Sequence, residues 1–135
     1  MNAKLVPVYL AALAALLIAS SPAHAHHSLT AEFDTDKVVQ IQGTITEMKW
    51  TNPHGWLYID VKDDAGTVTN WELTMGGPNG LLRRGWTRNL IKIGDTVTVS
   101  GYLARDGSHL ANARTIRLAN GKELFGGTGP GSEAY

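Results

Sequence analysis

Turn signals punctuate this chain at close intervals. Turn-forming clusters at Asp63-Asp64-Ala65-Gly66, Asp106-Gly107 and Asn120-Gly121, with Gly76-Gly77-Pro78-Asn79-Gly80 between them, cut it into short runs. Those runs alternate apolar and polar residues with a period of two. Such runs are too short and too evenly patterned for a helical bundle. Leu57, Ile59 and Val61 alternate against Trp56, Tyr58 and Asp60, and Trp71, Leu73 and Met75 alternate against Asn70 and Glu72. Val97 and Val99, then Ile116 and Leu118, repeat the pattern downstream.

The expected strands are 38–50, a second from His54 or Trp56 to Val61, 67–75, 96–103 and 111–118. In the first, Ile41, Gly43 and Ile45 share a face, but Met48 and Trp50 fall out of phase with them. A bulge near Glu47 reconciles the two, and Gly43 permits strong curvature. The credible helical piece lies in 79–89, capped by Asn79, with Leu81, Leu82 and Trp86 as its apolar side and Gly85 limiting it to one or two turns. Three meandering strands, a short helix and a final hairpin is the order of an all-β, five-stranded oligonucleotide/oligosaccharide-binding (OB) barrel. A small β-sandwich is the competing architecture.

The first segment stands outside this domain. Lys4 precedes a nearly unbroken apolar run from Leu5 to Ala19, followed by small residues ending at Ala25. That is the layout of a secretory signal peptide, and the run is short for a membrane span. The expected division is a signal peptide over 1–25, a leader over 26–37, a barrel over 38–125 and a disordered Gly-rich tail over 126–135. Cleavage after Ala25 frees His26, and cleavage after Ala23 frees His24; Pro22 beside the second bond favours the first. The expected location is the periplasm, with no membrane span after cleavage.

Removing Lys4 takes 12 basic against 12 acidic residues to a net charge of −1, too neutral for a protein held to nucleic acid by phosphate contacts. The chain has no Cys, so disulfides contribute nothing and the core must hold the fold.

The sequence resembles a family of small exported bacterial proteins classified only as a domain of unknown function. The resemblance rests on His26-His27-Ser28, Glu32-Phe33-Asp34, Gly43-Thr44, Trp50-Thr51-Asn52-Pro53-His54, Leu82-Arg83-Arg84-Gly85-Trp86, Gly94-Asp95 and Asn112-Ala113-Arg114. It covers nearly all of residues 26–125. It implies cleavage just before His26 and carries no established activity.

No residue pattern marks an enzyme. Glu32, Asp34 and Asp36 are neighbours in a leader and Glu72 is on a strand, so no carboxyl pair faces across a cleft. No Ser sits in a nucleophile elbow, and Gly76-Gly77-Pro78 lacks the Lys of a phosphate loop. Two surfaces invite a binding role instead. With His26 as residue one, its α-amine and ring nitrogen can chelate one metal ion together with His54 or His27. Such donors suit copper, nickel or zinc, and copper is the specific expectation. Met48 and Met75 are possible soft donors, and Glu32 or Asp34 possible oxygen donors. A start at His24 also chelates, through His26 at position three. Against this, histidines near a cleavage site also serve as soluble linker, and His54 also reads as a turn residue packed on Trp56. His109 reads as loop.

The alternative is an envelope adaptor that binds a protein or glycan without metal. Trp56 and Tyr58 would form its outward stacking surface, and Arg83 and Arg84 would recognise an anion or acidic partner. The bland readings are that the helix or leader covers the aromatics and that the arginines are a solvated helix face. Trp50, Trp71 and Trp86 are expected in the core or cap.

Overall fold

The computed structural model of the chain describes residues 29–127. A single helical turn, α1 (Leu29–Glu32), leads into β1 (Phe33–Lys49). Next come β2 (Trp56–Lys62), β3 (Val68–Thr74), α2 (Pro78–Arg83), β4 (Thr96–Ala104), β5 (Leu110–Leu118) and β6 (Glu123–Phe125). The sheet order is β3-β2-β1-β4-β5-β6, and a parallel β3–β5 pairing closes the first five strands into a barrel. This is the OB-like arrangement, with β6 added outside it. Closure removes most of the edge that an open sheet would expose.

The long β1 serves both halves of the barrel because it bends. Its Ile45 pairs with Ile59 and its Glu47 with Tyr58, leaving Thr46 as the extra residue of a bulge. The bulge shifts the alternation, so Ile41 and Ile45 before it and Met48 and Trp50 after it all pack toward one core. Gly43 lies where β1 presses on β2: a Cβ there would stand 2.7 Å from the Asp60 carbonyl oxygen. Leu57, Ile59, Leu73, Val97, Val99 and Ile116 fill the barrel, each at most 1% exposed.

Two local expectations need correction. Asn79 does not cap the short helix; Gly77 does, without a side-chain bond, and Pro78 opens the first turn. Proline suits that position because its fixed φ is already helical and its missing N–H would have had no partner. The helix also stops at Arg83, short of Asn89, which gives it the one or two turns expected. Gly85 takes a positive φ of 93°, and the chain turns so that Trp86 enters the core, 1% exposed. Finally, residues 33–37, read from sequence as leader, continue β1: Phe33 pairs with Ala104, and pairing resumes at Val38–Tyr102 after an irregularity. Charge had hidden this stretch, since Asp34 pairs with Lys37 at 3.5 Å and Arg105 at 3.9 Å.

Two residues assigned from sequence to the tail, Gly126 and Gly127, lie against the barrel. The Gly76 amide donates to the Gly126 carbonyl at 2.9 Å. A Cβ on Gly126 would stand 2.4 Å from the Ala113 carbonyl oxygen, and one on Gly127 would stand 2.0 Å from the Gly76 nitrogen. Glycine is required here by close backbone approach. The indole N–H of Trp86 donates to the Phe125 carbonyl at 2.7 Å, tying β6 to the cap. Residues 1–28 and 128–135 lie outside the described residues.

A second, smaller apolar cluster sits on the other face of the wall. Phe33, Tyr102 and Ala104 form it, with Leu29 and Leu110 packed alongside. Leu110 alternates with the core residue Ala111, so it points out of the barrel, and α1 with the start of β1 covers that patch. No helix among the described residues is long and apolar enough to cross a membrane.

Candidate binding face

The residues singled out from sequence on β2 share the outer side of the barrel. Leu57 and Ile59 are 0% exposed, so the alternation turns Trp56 and Tyr58 outward, where both are half-buried. Trp56 pairs with Lys49 on β1 and Thr74 on β3, and Tyr58 with Glu47 and Glu72. Lys49, which sequence reading passed over, lies with its ammonium 4.7 Å from the Tyr58 ring centroid. Its pKa is held above the ordinary value, first by the hydrogen bond to Tyr58 and then by the Glu47 carboxylate, 3.6 Å away. A cross-strand diagonal from Tyr58 was the available signal, legible only once the bulge fixes the register.

Further along, the face satisfies itself. Asn70 donates to Asp60 at 2.8 Å and to Thr46 at 3.3 Å. Beneath Trp56, the buried Asn112 side chain donates to the Thr74 hydroxyl at 2.8 Å, so β3 and β5 are locked by a polar pair as well as by their ladder.

The loop 50–55 brings His54 to the entry of this face. The Asn52–Pro53 peptide is cis, and the loop is held down by backbone bonds from Gly55 to the Gly76 carbonyl and from Met75 to the Gly55 carbonyl. Thr51 donates to the His54 carbonyl at 2.8 Å. Gly77 is required beneath it, where a Cβ would stand 2.8 Å from the Pro53 carbonyl oxygen. His54 itself is exposed, with Nδ1 3.2 Å from the Met75 carbonyl oxygen. A carbonyl only accepts, so this contact places the proton on Nδ1 and leaves the Nε2 lone pair as the ring's donor to a ligand. Metal-binding histidines are commonly oriented in this way, the second ring nitrogen donating to a backbone carbonyl.

The other candidate residues divide. His26 and His27 lie outside the described residues. Met75 is 0% exposed in the core, so the expectation of a soft sulfur donor beside His54 fails: only its carbonyl faces the ring. Met48 is half-buried against the core, and Asp34 is engaged by Lys37 and Arg105. His109 lies edge-on to Trp71 with centroids 5.2 Å apart, which makes it part of a loop contact. Arg84 lies over the Phe125 ring at 4.2 Å, and Arg83 is exposed at the end of α2. The arginine pair and the aromatic pair therefore serve different elements. Trp86 is core as expected, while Trp50 and Trp71 are half-buried against it.

Among the described residues no group of three or more His, Cys, Asp or Glu stands together as a metal cluster. The arrangement offers a face with one oriented imidazole, two aromatic side chains and a lysine. None of the curated proteins matches the chain. Residues 13–113 match a protein family, and with most of its length covered the chain belongs to the Family of unknown function (DUF6152).

Proposed function

We propose that this protein is an exported, non-catalytic binding module of the bacterial periplasm that takes a divalent metal, copper in the first instance. Residues 1–25 act as its signal peptide. The ligands are His54 Nε2 and the freed amine and imidazole of His26, with His27 as the alternative imidazole. The observation that carries the reading is the exposed His54 ring, oriented by the Met75 carbonyl with its Nε2 lone pair free for a ligand. Copper accepts amine and imidazole nitrogens readily.

The test is calorimetric titration of Cu(II) into protein with its native N-terminus at His26. Affinity at low micromolar or tighter is expected, falling at least tenfold when one residue is added before His26 or in His54→Gln. Only millimolar binding, or equal affinity in all three proteins, ends the reading. A second reading is favoured by one specific observation, the half-buried Trp56 and Tyr58 sharing an outward face. On that reading the face binds a glycan or protein of the envelope without metal, and Trp56→Ala abolishes capture while leaving copper binding intact.

A further inference from the structure

Where β1 leaves the barrel, its last residues and the segment before β4 enclose an open groove of about 290 Å³. Ile45 and Ile91, 1% and 7% exposed, form its floor. Met48 and Trp50, both half-buried, form one wall. At the mouth stand Arg88, Lys92 and Ile93, and Ile93 is 75% exposed, the highest of the large apolar side chains described. Among the described residues no acidic side chain lines the groove.

Among the described residues the two cations, Arg88 and Lys92, have no counter-ion within ion-pair distance. Asp95, close by in sequence, directs its carboxylate back to the Lys92 backbone amide at 2.8 Å. Arg88 is held at the mouth by the Trp50 ring, with its guanidinium 5.5 Å from the centroid. An apolar floor next to an exposed isoleucine and two uncompensated cations is complementary to one kind of molecule: an apolar chain ending in an anion.

We propose that this groove binds a free medium-chain fatty acid. Its tail lies over Ile45, Ile91 and Met48 and covers Ile93, and its carboxylate meets Arg88 and Lys92. The volume is at the lower end for small-molecule sites, which suits a single short acyl chain. The unbranched Met48 adapts to tails of different length, and Arg88 offers a planar fork to the carboxylate. None of the proposed histidine ligands lines the groove, so this site and the copper site fail or succeed separately.

The experiment is titration of sodium octanoate into the mature protein, read by calorimetry and by Trp fluorescence, since Trp50 lines the groove. Saturable binding is expected, tightening about fourfold per added methylene from hexanoate to octanoate, the factor equivalent to about 0.8 kcal/mol per CH₂. Octanol, with the same tail and no charge, should bind at least tenfold more weakly. The double variant Arg88→Gln, Lys92→Gln should lose tenfold or more, and Ile93→Ser should flatten the chain-length dependence. These side chains are exposed, so an unchanged unfolding midpoint shows that the variants fold. Equal binding of octanol and octanoate, undiminished binding by the double variant, or absence of saturable octanoate binding overturns the proposal. Co-sedimentation with phosphatidylglycerol vesicles in the absence of octanoate binding also overturns it and assigns the mouth to a membrane surface instead.

Discussion

Trp86 is the residue on which closure of the barrel end most depends, and Trp86→Phe separates its two contributions. The indole is 1% exposed, stands edge-on to Trp50 with centroids 6.1 Å apart, and donates to the Phe125 carbonyl at 2.7 Å. Phenylalanine keeps an aromatic ring in the core but removes the donor and part of the volume. Leaving the part-buried Phe125 carbonyl unpaired costs up to about 1–3 kcal/mol. The smaller ring adds a cavity contribution of about 1 kcal/mol, less than a full aromatic truncation. The expected loss is therefore about 2–4 kcal/mol, a large share of the roughly 5–15 kcal/mol that holds a typical domain. Urea denaturation followed by far-UV circular dichroism measures it as a lower midpoint at unchanged slope. Hydrogen exchange should show β6 opening first, because the bond to Phe125 ties that strand to the cap. A loss below about 1 kcal/mol, or β6 protection unchanged, would refute the view that Trp86 joins cap and strand.

Other outcomes follow from single contacts. Gly126→Ala must drive a Cβ toward the Ala113 carbonyl oxygen and should lower the thermal midpoint, whereas Gly80→Ala, with open space around it, should not. Asn112→Ala strands the buried Thr74 hydroxyl, with an expected loss of about 1–3 kcal/mol by urea denaturation. The Asp106 carboxyl is held below its usual value by the Ser108 hydroxyl and then the Ser108 amide. Its folded pKa being the lower one, its stabilisation is present above the unfolded value near 3.8 and disappears as pH falls through the depressed pKa. Asp106→Asn should therefore lower stability modestly at neutral pH, with the difference from the wild type vanishing as pH falls through the depressed Asp106 pKa, read as urea midpoints across pH.

The barrel was legible because its signals are local. Alternation named the inward faces of β2 to β5, and the phase slip between Ile45 and Met48 located the bulge before any register was known. What escaped detection depends on contacts between residues distant in sequence. Gly126 and Gly127 look like any Gly-rich tail until Gly76 and Ala113 are seen beneath them. Asp34 to Lys37 looks like a solvated leader until Arg105 arrives from the end of the neighbouring strand β4. The same limit governs the binding face. Trp56 and Tyr58 could be assigned outward from parity alone, but Lys49 over Tyr58 needed the post-bulge register. The orientation of His54 needed the Met75 carbonyl, 21 residues away. Asn79 misled for a different reason: an asparagine is a good cap in isolation, yet Pro78 before it had already begun the helix.

The placement of α1 makes the copper reading answerable from inside the fold. Phe33 is 3% exposed on the outer face of the wall, and together with Leu29 it packs on Tyr102, Ala104 and Leu110. The cluster is separate from the main core. Phe33→Ala should therefore release α1 locally, at a cost of up to about 3–5 kcal/mol in local contacts, while the barrel stays folded. The N-terminal histidines would then meet His54 only by diffusion of a tether, at the lower effective concentration of a free segment. Copper affinity should fall severalfold or more in Phe33→Ala, with new protease cleavage near Glu32 reporting the release and unchanged barrel circular dichroism serving as the control. If cleavage appears and affinity holds, the N-terminal amine and imidazole do not act with His54, and any copper bound is held by the terminus alone.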